Sequence, residues 1–416
     1  MQRTVVMNMG DPIPRLRRDL EFTPTSYRGE KAVVVRDFLG LIRDPVILQG
    51  EALEVAGLID GARTVRDIQL ELVRLKNGIL VATESVARLV GELDSAFLLE
   101  SGRYHSEKER TLADYLKLPT RAAAHAGASY PARAEELRAY LDSVLECAGN
   151  GAKEGSPEGL CGLIAPHIDL EIGKRVYAAA YGAIRAARPG RVWLLGTGHS
   201  LDDAYFGLTE KDFETPLGLA KTDRAAVRTL QKAGGRAVSP YDISHGREHS
   251  LEFQIIFLQR LFGSSFTIVP ILCGSFGRDL ARVAGPSEIP GAALFLDALR
   301  ALWEADAADS FLVAAVDFSH IGPKFGHRER ASSLLLEARE SDRALIDALA
   351  AADRRRFWEQ VRRTGDRYNV CGFSSLACLL EILPGAEGRL LDYDFWREEA
   401  TQSAVSYAAM VLSLKR

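Results

Sequence analysis

The sequence has neither a long apolar run nor a large excess of charge of one sign. Its 52 basic and 56 acidic residues give a formal net charge of -4, so the composition gives no indication of nucleic-acid binding. No apolar run approaches the length of a membrane span. The opening MQRTVVMNMGDPIPRLRRDL also lacks the apolar core of a secretion signal. We therefore expect a cytoplasmic protein that does not bind membranes.

Cysteine is scarce, with five residues and no Cys-x-x-Cys pair. An odd number without paired spacing argues against a disulfide framework and a zinc ribbon. Any metal site therefore needs His or carboxylate ligands as well. The chain has no G-x-S-x-G elbow, no P-loop and no G-x-G-x-x-G between a strand and a helix, so hydrolase-triad and nucleotide-binding functions lack support.

The length of 416 residues, with 47% hydrophobic content, is sufficient for two domains. Residues 31–48 are typical of strands, and three helical patterns follow between residues 52 and 100, the second beginning at a capping threonine. A small β element followed by three helices is the pattern of a winged helix, which we assign to residues 1–102. We predict a linker with a short helix at residues 103–120 and a flexible loop at 149–159.

From Cys161 onward, apolar runs alternate with helical patterns. CGLIA precedes GKRVYAAAYGAIRAAR, RVWLLG precedes TDRAAVRTLQKAG, and FTIVPILCG, SFLVAAVDF, RLLDYDF and SAVSYAAMVLSL follow as further strands. Such alternation predicts an α/β domain over residues 121–416, with a mainly parallel mixed sheet flanked by helices on both faces.

Three histidines follow predicted strands: His167 after CGLIA, His199 after RVWLLG and His320 after SFLVAAVDF. In an open α/β sheet, ligands bind beyond the carboxyl ends of the strands. If these strands are neighbours, the three imidazoles lie on one rim, where Gly196 and Gly198 permit a sharp turn and a close approach of the backbone. A single histidine there is more often a surface or cap residue, but three at equivalent positions favour a functional site.

Cys371 lies just before an apolar helix in RYNVCGFSSLACLLEILPG. The unsatisfied N–H groups of a helix N-terminus favour the thiolate, which is the metal-binding and nucleophilic form of cysteine. Two imidazoles and one thiolate would make a three-ligand site with open positions, suited to Fe(II), Cu or Zn. The alternative is a small buried residue near a helix cap, and Cys378 is expected in the core.

The segment DISHGREHSLEF contains His245 and His249 four residues apart. On one helix they would share a face as metal ligands, but Gly246 disfavours a continuous helix, so we reject this local metal motif. We expect His249 or Ser250 to cap the helix that follows. Glu248 and His249 are candidates for orienting the pocket or for hydrogen bonding a metal ligand, with a plain helix start as the alternative.

The segment AAVDFSHIG offers Asp317 and His320 as partners. A carboxylate that fixes the tautomer of an imidazole makes that ring a competent general base. The alternative is that Asp317 caps the following segment.

Nine ordered sequence blocks between residues 121 and 416 resemble the Memo family, whose bacterial members are often called AmmeMemoRadiSam system protein B. The blocks are AHAGASYP, APHIDL, LGTGHS, TPLG, EHSLE, IVPIL, VDFSHIG, CG and SAVSYAA. The Memo fold is similar to that of class III extradiol dioxygenases, non-haem iron enzymes that open catechol-type rings with oxygen. The resemblance implies metal ligands at His167, His199 and Cys371, a pocket lined by Asp317 and His320, and His125 and His249 nearby.

The chain departs in two ways from the proteins that it resembles. The dioxygenases bind iron through two histidines and a carboxylate, whereas the thiolate of Cys371 is softer and more easily oxidised. Many Memo relatives carry PHAGY where this chain has PHIDL. Asp169 therefore adds a carboxylate that is expected to hydrogen-bond His167, to contribute a ligand or to bind a substrate cation. With His125 and Glu248, it is a candidate substrate-binding residue.

Residues 30–102 resemble PqqD-like domains, small winged-helix modules that hold peptides. The resemblance is carried by LIDGARTVRDI, a second helical pattern and the closing FLLES. It implies that this domain docks a peptide or a protein partner, with a structural appendage as the alternative.

Two functions are compatible with these features. The Memo resemblance implies a mononuclear metal oxidoreductase, with Fe(II) preferred and Cu or Zn as alternatives, that acts on a small-molecule or peptide substrate. His320, Asp317 and His249 would then move protons in catalysis. The alternative is a non-catalytic protein of a radical-SAM-associated system that binds a peptide or a partner with the same pocket.

Overall fold

The computed structural model describes residues 10–37, 39–42, 45–147, 158–201 and 203–414. The chain divides into two compact units, Met1–Lys117 and Leu118–Arg416. Most of the loop predicted at 149–159 lies outside the described residues. Within the described ranges, no helix is long and apolar enough to cross a membrane.

The N-terminal unit contains an antiparallel three-stranded sheet with the order β1-β2-β3. Three helices follow, and their apolar faces bury Val55, Ile68 and Val90 in one core with Val35 of β2. Thr64 and Asp67 form a capping box at the start of the second helix, as the capping threonine predicts. The elements are β1 Leu20–Tyr27, β2 Glu30–Asp37, β3 Val46–Gln49, α1 Gly50–Leu58, α2 Val65–Leu75, α3 Thr83–Ser95 and α4 Gly102–Leu116.

The segment predicted as a linker is mostly the 15-residue helix α4, which begins after the capping residue Ser101. Its Tyr104 and Leu112 are buried, and Tyr104 hydrogen-bonds Asp19 at 3.0 Å. The short helix predicted in this segment is longer than expected; its polar composition concealed the length, because only a few of its side chains pack inward. The winged-helix and PqqD-like assignment of the N-terminal unit stays a prediction.

The C-terminal unit is an α/β domain built on a large mixed sheet, as the alternation of patterns predicts. Its described residues form eleven strands, with β12-β14-β5-β11-β6-β10-β9-β8-β4 as the main order. The strands are β4 Thr120–Arg121, β5 Leu160–Ala165, β6 Arg191–Thr197, β7 Phe206–Leu208, β8 Asp212–Thr215, β9 Gly218–Thr222, β10 Thr267–Cys273, β11 Ser310–Ala315, β12 His320–Ile321, β13 Ala386–Glu398 and β14 Ser403–Leu414.

Helices cover both faces of this sheet. Trp193 of β6 packs in one apolar cluster with helices α7, α9, α11 and α12, whereas its neighbour Leu194 packs in the other with α5, α6 and α8. Successive strand residues point to opposite faces, so an uninterrupted apolar strand predicts burial on both sides. The helices are α5 Ala134–Glu146, α6 Lys174–Ala183, α7 Arg224–Gly234, α8 His249–Phe262, α9 Ala292–Ala305, α10 Ala331–Ala350, α11 Arg354–Thr364 and α12 Phe373–Ile382.

The central strands β5, β11, β6 and β10 are parallel neighbours. In the register, Ala315 of β11 lies beside Ala165 of β5 and Gly196 of β6. His167 and Asp317 each lie two residues beyond this row, and His199 lies three residues beyond it. The topology therefore brings these side chains to one edge of the sheet.

Candidate metal centre

The side chains of His167, His199 and Cys371 meet beyond the carboxyl ends of β5 and β6. One ligand atom from each lies within 4.8 Å of the other two. The Sγ atom of Cys371 is 3.5 Å from Nε2 of His167. The two imidazole rings are nearly perpendicular, at 83°, with centroids 5.2 Å apart. Three residues from a stretch of more than 200 positions thus surround one point.

This donor set fits a tetrahedral transition-metal site. A thiolate at about 2.3 Å and an imidazole nitrogen at about 2.1 Å from one ion would lie roughly 3.6 Å apart. The observed separation of Cys371 Sγ and His167 Nε2 is 3.5 Å. Perpendicular rings can both direct an in-plane lone pair at an ion between them. Imidazole and thiolate donors suit Fe, Cu and Zn better than Mg or Ca.

A backbone carbonyl fixes the ring of His167. Nδ1–H donates to the carbonyl oxygen of Ala315 at 2.9 Å, because a carbonyl can only accept. Nε2 is then the unprotonated nitrogen of the neutral ring, and it faces Cys371. Asp317 holds the backbone here, because its Oδ1 accepts from the N–H groups of His167 and Ile168 at 3.1 and 3.3 Å.

A carboxylate fixes the ring of His199. Nδ1–H donates to the Glu248 oxygens at 3.0 and 3.1 Å, and the backbone N–H of His199 donates to Glu248 at 3.2 Å. Glu248 is also the N-cap of α8, where it accepts from the N–H of Ser250 at 2.9 Å. The expectation that His249 or Ser250 caps this helix is therefore wrong. A buried carboxylate that orients a candidate ligand matches the predicted role of Glu248.

If these residues hold a metal ion, replacing Glu248 by Gln should weaken its binding by about 10–100-fold, the usual effect of losing such a support. An amide can present its NH2 group to His199 Nδ1, which favours the tautomer with Nε2 protonated and blocks the metal-facing nitrogen. Competition with a chelator would measure the dissociation constant. Glu340→Gln on α10 is the matched control. An E248Q variant that binds as tightly as wild type would contradict this role.

Two residues that the sequence did not single out brace the segment that carries His167. The amide of Gln254 donates to the carbonyl oxygen of Pro166 at 2.9 Å, and Tyr177 donates to that of Ile168 at 2.9 Å. Both side chains are fully buried. Their helical positions match ordinary core patterns, so neither contact could be predicted from the sequence.

The glycines before His199 allow close packing, as predicted. A methyl group on Gly196 would lie 2.6 Å from Ser250 Oγ, and one on Gly198 would lie 2.4 Å from Leu201 Cδ1. Neither glycine has a positive φ, so the predicted turn needs no left-handed backbone at these positions. The segment that contains these glycines therefore packs closely against the start of α8, and this places His199 within hydrogen-bond distance of Glu248.

Cys371 lies one residue before Gly372, the N-cap of α12. A methyl group on Gly372 would lie 2.4 Å from Val316 Cβ, so glycine lets this loop reach the end of β11. Burial opposes the thiolate, but the charges of His167 and His320, together with hydrogen bonds from His167 and His199, lower the pKa of Cys371 to about 5. The predicted thiolate is thus stabilised chiefly by imidazoles.

Acidic neighbours favour the protonated, cationic forms of both candidate imidazole ligands. Burial disfavours the cation, but the charges of Asp317 and Cys371 outweigh it and raise the pKa of His167 to about 9. Burial likewise opposes charge on His199, yet Glu248 and Cys371 raise the pKa of His199 well above its usual value. The same pairing holds the pKa of Glu248 well below its usual range, against the effect of burial. A metal ion held by these two imidazoles would have to displace these protons.

Residues 121–411 match the model of the family described as Memo-like protein. The chain belongs to the Memo-like family. It is similar to a MEMO1 family protein of Aquifex aeolicus, with 31% identity over 91% of this chain and 95% of that protein. A MEMO1 family protein of Thermus thermophilus is 28% identical over 84% of this chain and 99% of its own length. A MEMO1 family protein of Thermococcus kodakarensis is 31% identical over 69% of this chain and 97% of its own length.

A second group of potential ligands in this Memo-like chain comprises His199, Glu248 and His249. The rings of His199 and His249 are stacked, with 16° between their planes and 5.1 Å between their centroids. An ion in the plane of one ring would lie off the plane of the other. Since Glu248 already accepts from His199, hydrogen bonding accounts for this group better than metal binding does.

His249 and His125 form the side of the Memo-like pocket nearest α8. The His249 ring is 5.2 Å from that of His167 and 5.8 Å from that of His125. His125 lies with Nε2 3.0 Å from the carbonyl oxygen of Arg247. Burial lowers the pKa of His249 well below its usual value, with nearby imidazoles adding to the effect and Glu248 opposing it. His249 is therefore neutral at pH 7.

The predicted pairing of Asp317 with His320 is not what the described residues form. Nδ1 of His320 faces the carbonyl oxygen of Phe318 at 3.0 Å, whereas Asp317 Oδ2 lies 3.7 Å from His167 Nε2. Asp317 therefore hydrogen-bonds the backbone just beyond the end of β5, because β5 and β11 are neighbouring strands. The charge of His320 is one of the influences that lower the pKa of Cys371.

Two further sequence-selected residues lie outside the centre. Asp169 is exposed, and its Oδ1 accepts from the N–H groups of Glu171 and Ile172 at 3.0 and 3.3 Å. The carboxylate forms a local turn before α6 and not the hydrogen bond to His167 that was one of its three predicted roles. His245 is buried in a separate short helical turn before α8, consistent with rejection of the His245–His249 metal motif.

A buried ion pair that the sequence did not reveal holds the wall of the pocket. The guanidinium of Arg121 donates to Glu252 and to the carbonyl oxygens of His245 and Glu248. Glu252 also accepts from the N–H of His125 at 2.9 Å, and both charged side chains are fully buried. The pair therefore ties the His125 loop to the start of α8.

Proposed function

We propose that this Memo-like protein holds one transition-metal ion through His167, His199 and Cys371 and acts as a metal-dependent oxidoreductase. Fe(II) is the preferred ion, with Cu or Zn as alternatives. The observation that carries the proposal is the orientation of the two rings: each has Nδ1 occupied by a fixed acceptor, which leaves Nε2 of each for the ion. A bound ion would supply Lewis acidity and open coordination positions.

The surrounding residues are suited to moving protons near such an ion. His249 is neutral, and its Nδ1 lies 3.4 Å from Glu248 Oε1, so Nε2 is available to accept a proton from a substrate. His320 directs Nδ1 toward Phe318 and likewise keeps Nε2 available on the opposite side, near Cys371. Asp317 keeps the His167 backbone in place. We assign proton transfer to His249 and His320 and a supporting role to Asp317.

Metal affinity is expected to increase with pH between about 7 and 9. His167, with a pKa of about 9, must lose a proton to bind, whereas Cys371, with a pKa of about 5, has already lost its proton at pH 7. Raising the pH removes the competing proton, so the dissociation constant should fall roughly tenfold per pH unit for each proton displaced. Chelator competition at several pH values measures this slope. An affinity independent of pH over this range would contradict the assigned ligands.

Oxygen consumption tests the oxidoreductase proposal. The protein would be loaded with Fe(II) without oxygen and then mixed with oxygen and a phenolic, catechol-type or peptide substrate. We expect consumption that depends on substrate, and a His249→Gln variant that retains metal but reacts more slowly. Stoichiometric iron with no consumption for any of these classes would remove the oxidoreductase function and leave metal binding.

A second function, the docking of a peptide or protein partner, is favoured by the exposed apolar side chains of the N-terminal unit. Leu75, Ile79 and Leu80 are 62%, 67% and 89% exposed at the end of α2 and in the turn after it. Exposed apolar side chains so close together in sequence favour an interaction site. In the full chain, His199→Ala should abolish metal-dependent activity but spare partner binding, whereas Leu80→Asp should do the reverse.

A further inference from the structure

We propose that Asp342 of α10 is a positioning residue of the metal centre, which holds the segment Asp317–His320 in place through Ser319. The inference rests on the proposed metal site. Asp342 belongs to none of the nine sequence blocks, and it does not contact the candidate ligands directly.

Asp342 is a completely buried carboxylate that accepts from three hydroxyl groups. Ser319 Oγ donates to Oδ1 at 2.6 Å. Ser406 Oγ and Tyr393 OH donate to Oδ2 at 2.6 and 2.7 Å. All three of these partners are neutral hydroxyl groups. The hydroxyl groups therefore provide the polar contacts that a buried carboxylate requires.

This carboxylate joins three elements at one point. Ser319 belongs to the loop after β11, Ser406 to β14 and Tyr393 to β13. A buried charge that serves only stability could be replaced by apolar packing at little cost. A charge that specifies where a loop lies is harder to replace, since an apolar side chain cannot hold a hydroxyl in one orientation.

Ser319 lies between Asp317 and His320. Asp317 accepts from the backbone N–H of the candidate ligand His167, and the ring of His320 is oriented by the carbonyl oxygen of Phe318. The loop is also paired with β14, because Phe318 N–H donates to the Ser406 carbonyl oxygen at 2.8 Å. The Ser319 hydroxyl adds the direct link from this loop to Asp342 of α10, beside an indirect one in which Ser406 Oγ accepts from the Ser319 N–H and donates to Asp342. Its loss should let Asp317 and His320 shift while the fold is retained.

Two single-hydroxyl deletions on the same carboxylate separate positioning from stability. Ser319→Ala removes the direct link to the loop and keeps the indirect one through Ser406 Oγ, whereas Tyr393→Phe removes a link to β13 and leaves Ser319 bound. Both variants lose one buried hydrogen bond to Asp342, so their losses of stability should be similar. Only Ser319→Ala should affect the metal centre.

Cobalt(II) titration of the full chain gives the first measurement. We expect Ser319→Ala to raise the Co(II) dissociation constant about tenfold and to alter the thiolate-to-cobalt absorption band, while Tyr393→Phe stays within about twofold of wild type. Equal effects of the two variants, or no effect of Ser319→Ala, would overturn the positioning role.

Amide hydrogen exchange gives a second measurement that needs no metal. The amides of His167 and Ile168, which donate to Asp317, should exchange about tenfold faster in Ser319→Ala and unchanged in Tyr393→Phe. Unchanged exchange in both variants would overturn the inference. Wild-type protein that takes up no Co(II) would contradict the proposed function, and the exchange rates would then decide the role of Asp342 alone.

Discussion

Replacing Cys371 by serine is expected to weaken binding of Fe(II), Co(II) or Zn(II) by more than about 100-fold, since even residues that only support a ligand are typically worth 10–100-fold. Serine has nearly the same shape, but its hydroxyl does not ionise near pH 7 and is a poor ligand for these ions. Cys371 Sγ is the sulfur that lies 3.5 Å from His167 Nε2. Without its charge, the pair of imidazoles alone should hold metal weakly.

The measurement is metal content and affinity of protein purified without oxygen, compared with wild type. Cys147→Ser is the matched control, because Cys147 is an exposed free cysteine on α5's C-cap. We expect the control to bind metal as wild type does. A Cys371→Ser variant that retains wild-type affinity would exclude the thiolate from the ligand set.

Replacing Glu252 by alanine is expected to lower the free energy of unfolding of the C-terminal unit by about 3–5 kcal/mol, the usual effect of removing one partner of a buried ion pair. Arg121 and Glu252 are both fully buried. The substitution would leave the Arg121 charge facing only carbonyl oxygens, and the N–H of His125 would lose its acceptor. The His125 loop should loosen as a consequence.

Urea denaturation followed by tryptophan fluorescence measures this effect, because all four tryptophans lie in the C-terminal unit. Glu359→Ala is the control, since Glu359 is exposed and pairs with Arg362 on the surface of α11. Such a surface pair is worth at most about 1 kcal/mol. A Glu252→Ala variant as stable as this control would show that the buried pair is not a determinant of stability.

The large features of the fold follow from patterns that are local in sequence. Strands such as RVWLLG are apolar throughout because they are buried on both faces, and this predicts a parallel sheet with helices on each side. The rule that ligands collect at strand ends then brings His167 and His199 to one edge. Cys371 required the additional recognition of a helix start. Family resemblance supplied the same three residues independently.

The supports of the centre could not be predicted in the same way. Gln254 and Tyr177 hold the backbone around His167, but each has the sequence context of an ordinary buried helix residue. The partner of Asp317 was mistaken because the nearest histidine in sequence is His320, whereas the sheet places His167 beside it. Contacts between distant segments depend on register and packing, which one sequence does not specify.

X-ray absorption spectroscopy of the protein loaded with one equivalent of Co(II) or Fe(II) without oxygen tests the central claim most directly. If His167, His199 and Cys371 share one ion, the spectrum should contain one sulfur scatterer at about 2.3 Å and nitrogen scatterers at about 2.0–2.1 Å. The sulfur should disappear in Cys371→Ser. A wild-type spectrum with only oxygen and nitrogen neighbours would contradict the account.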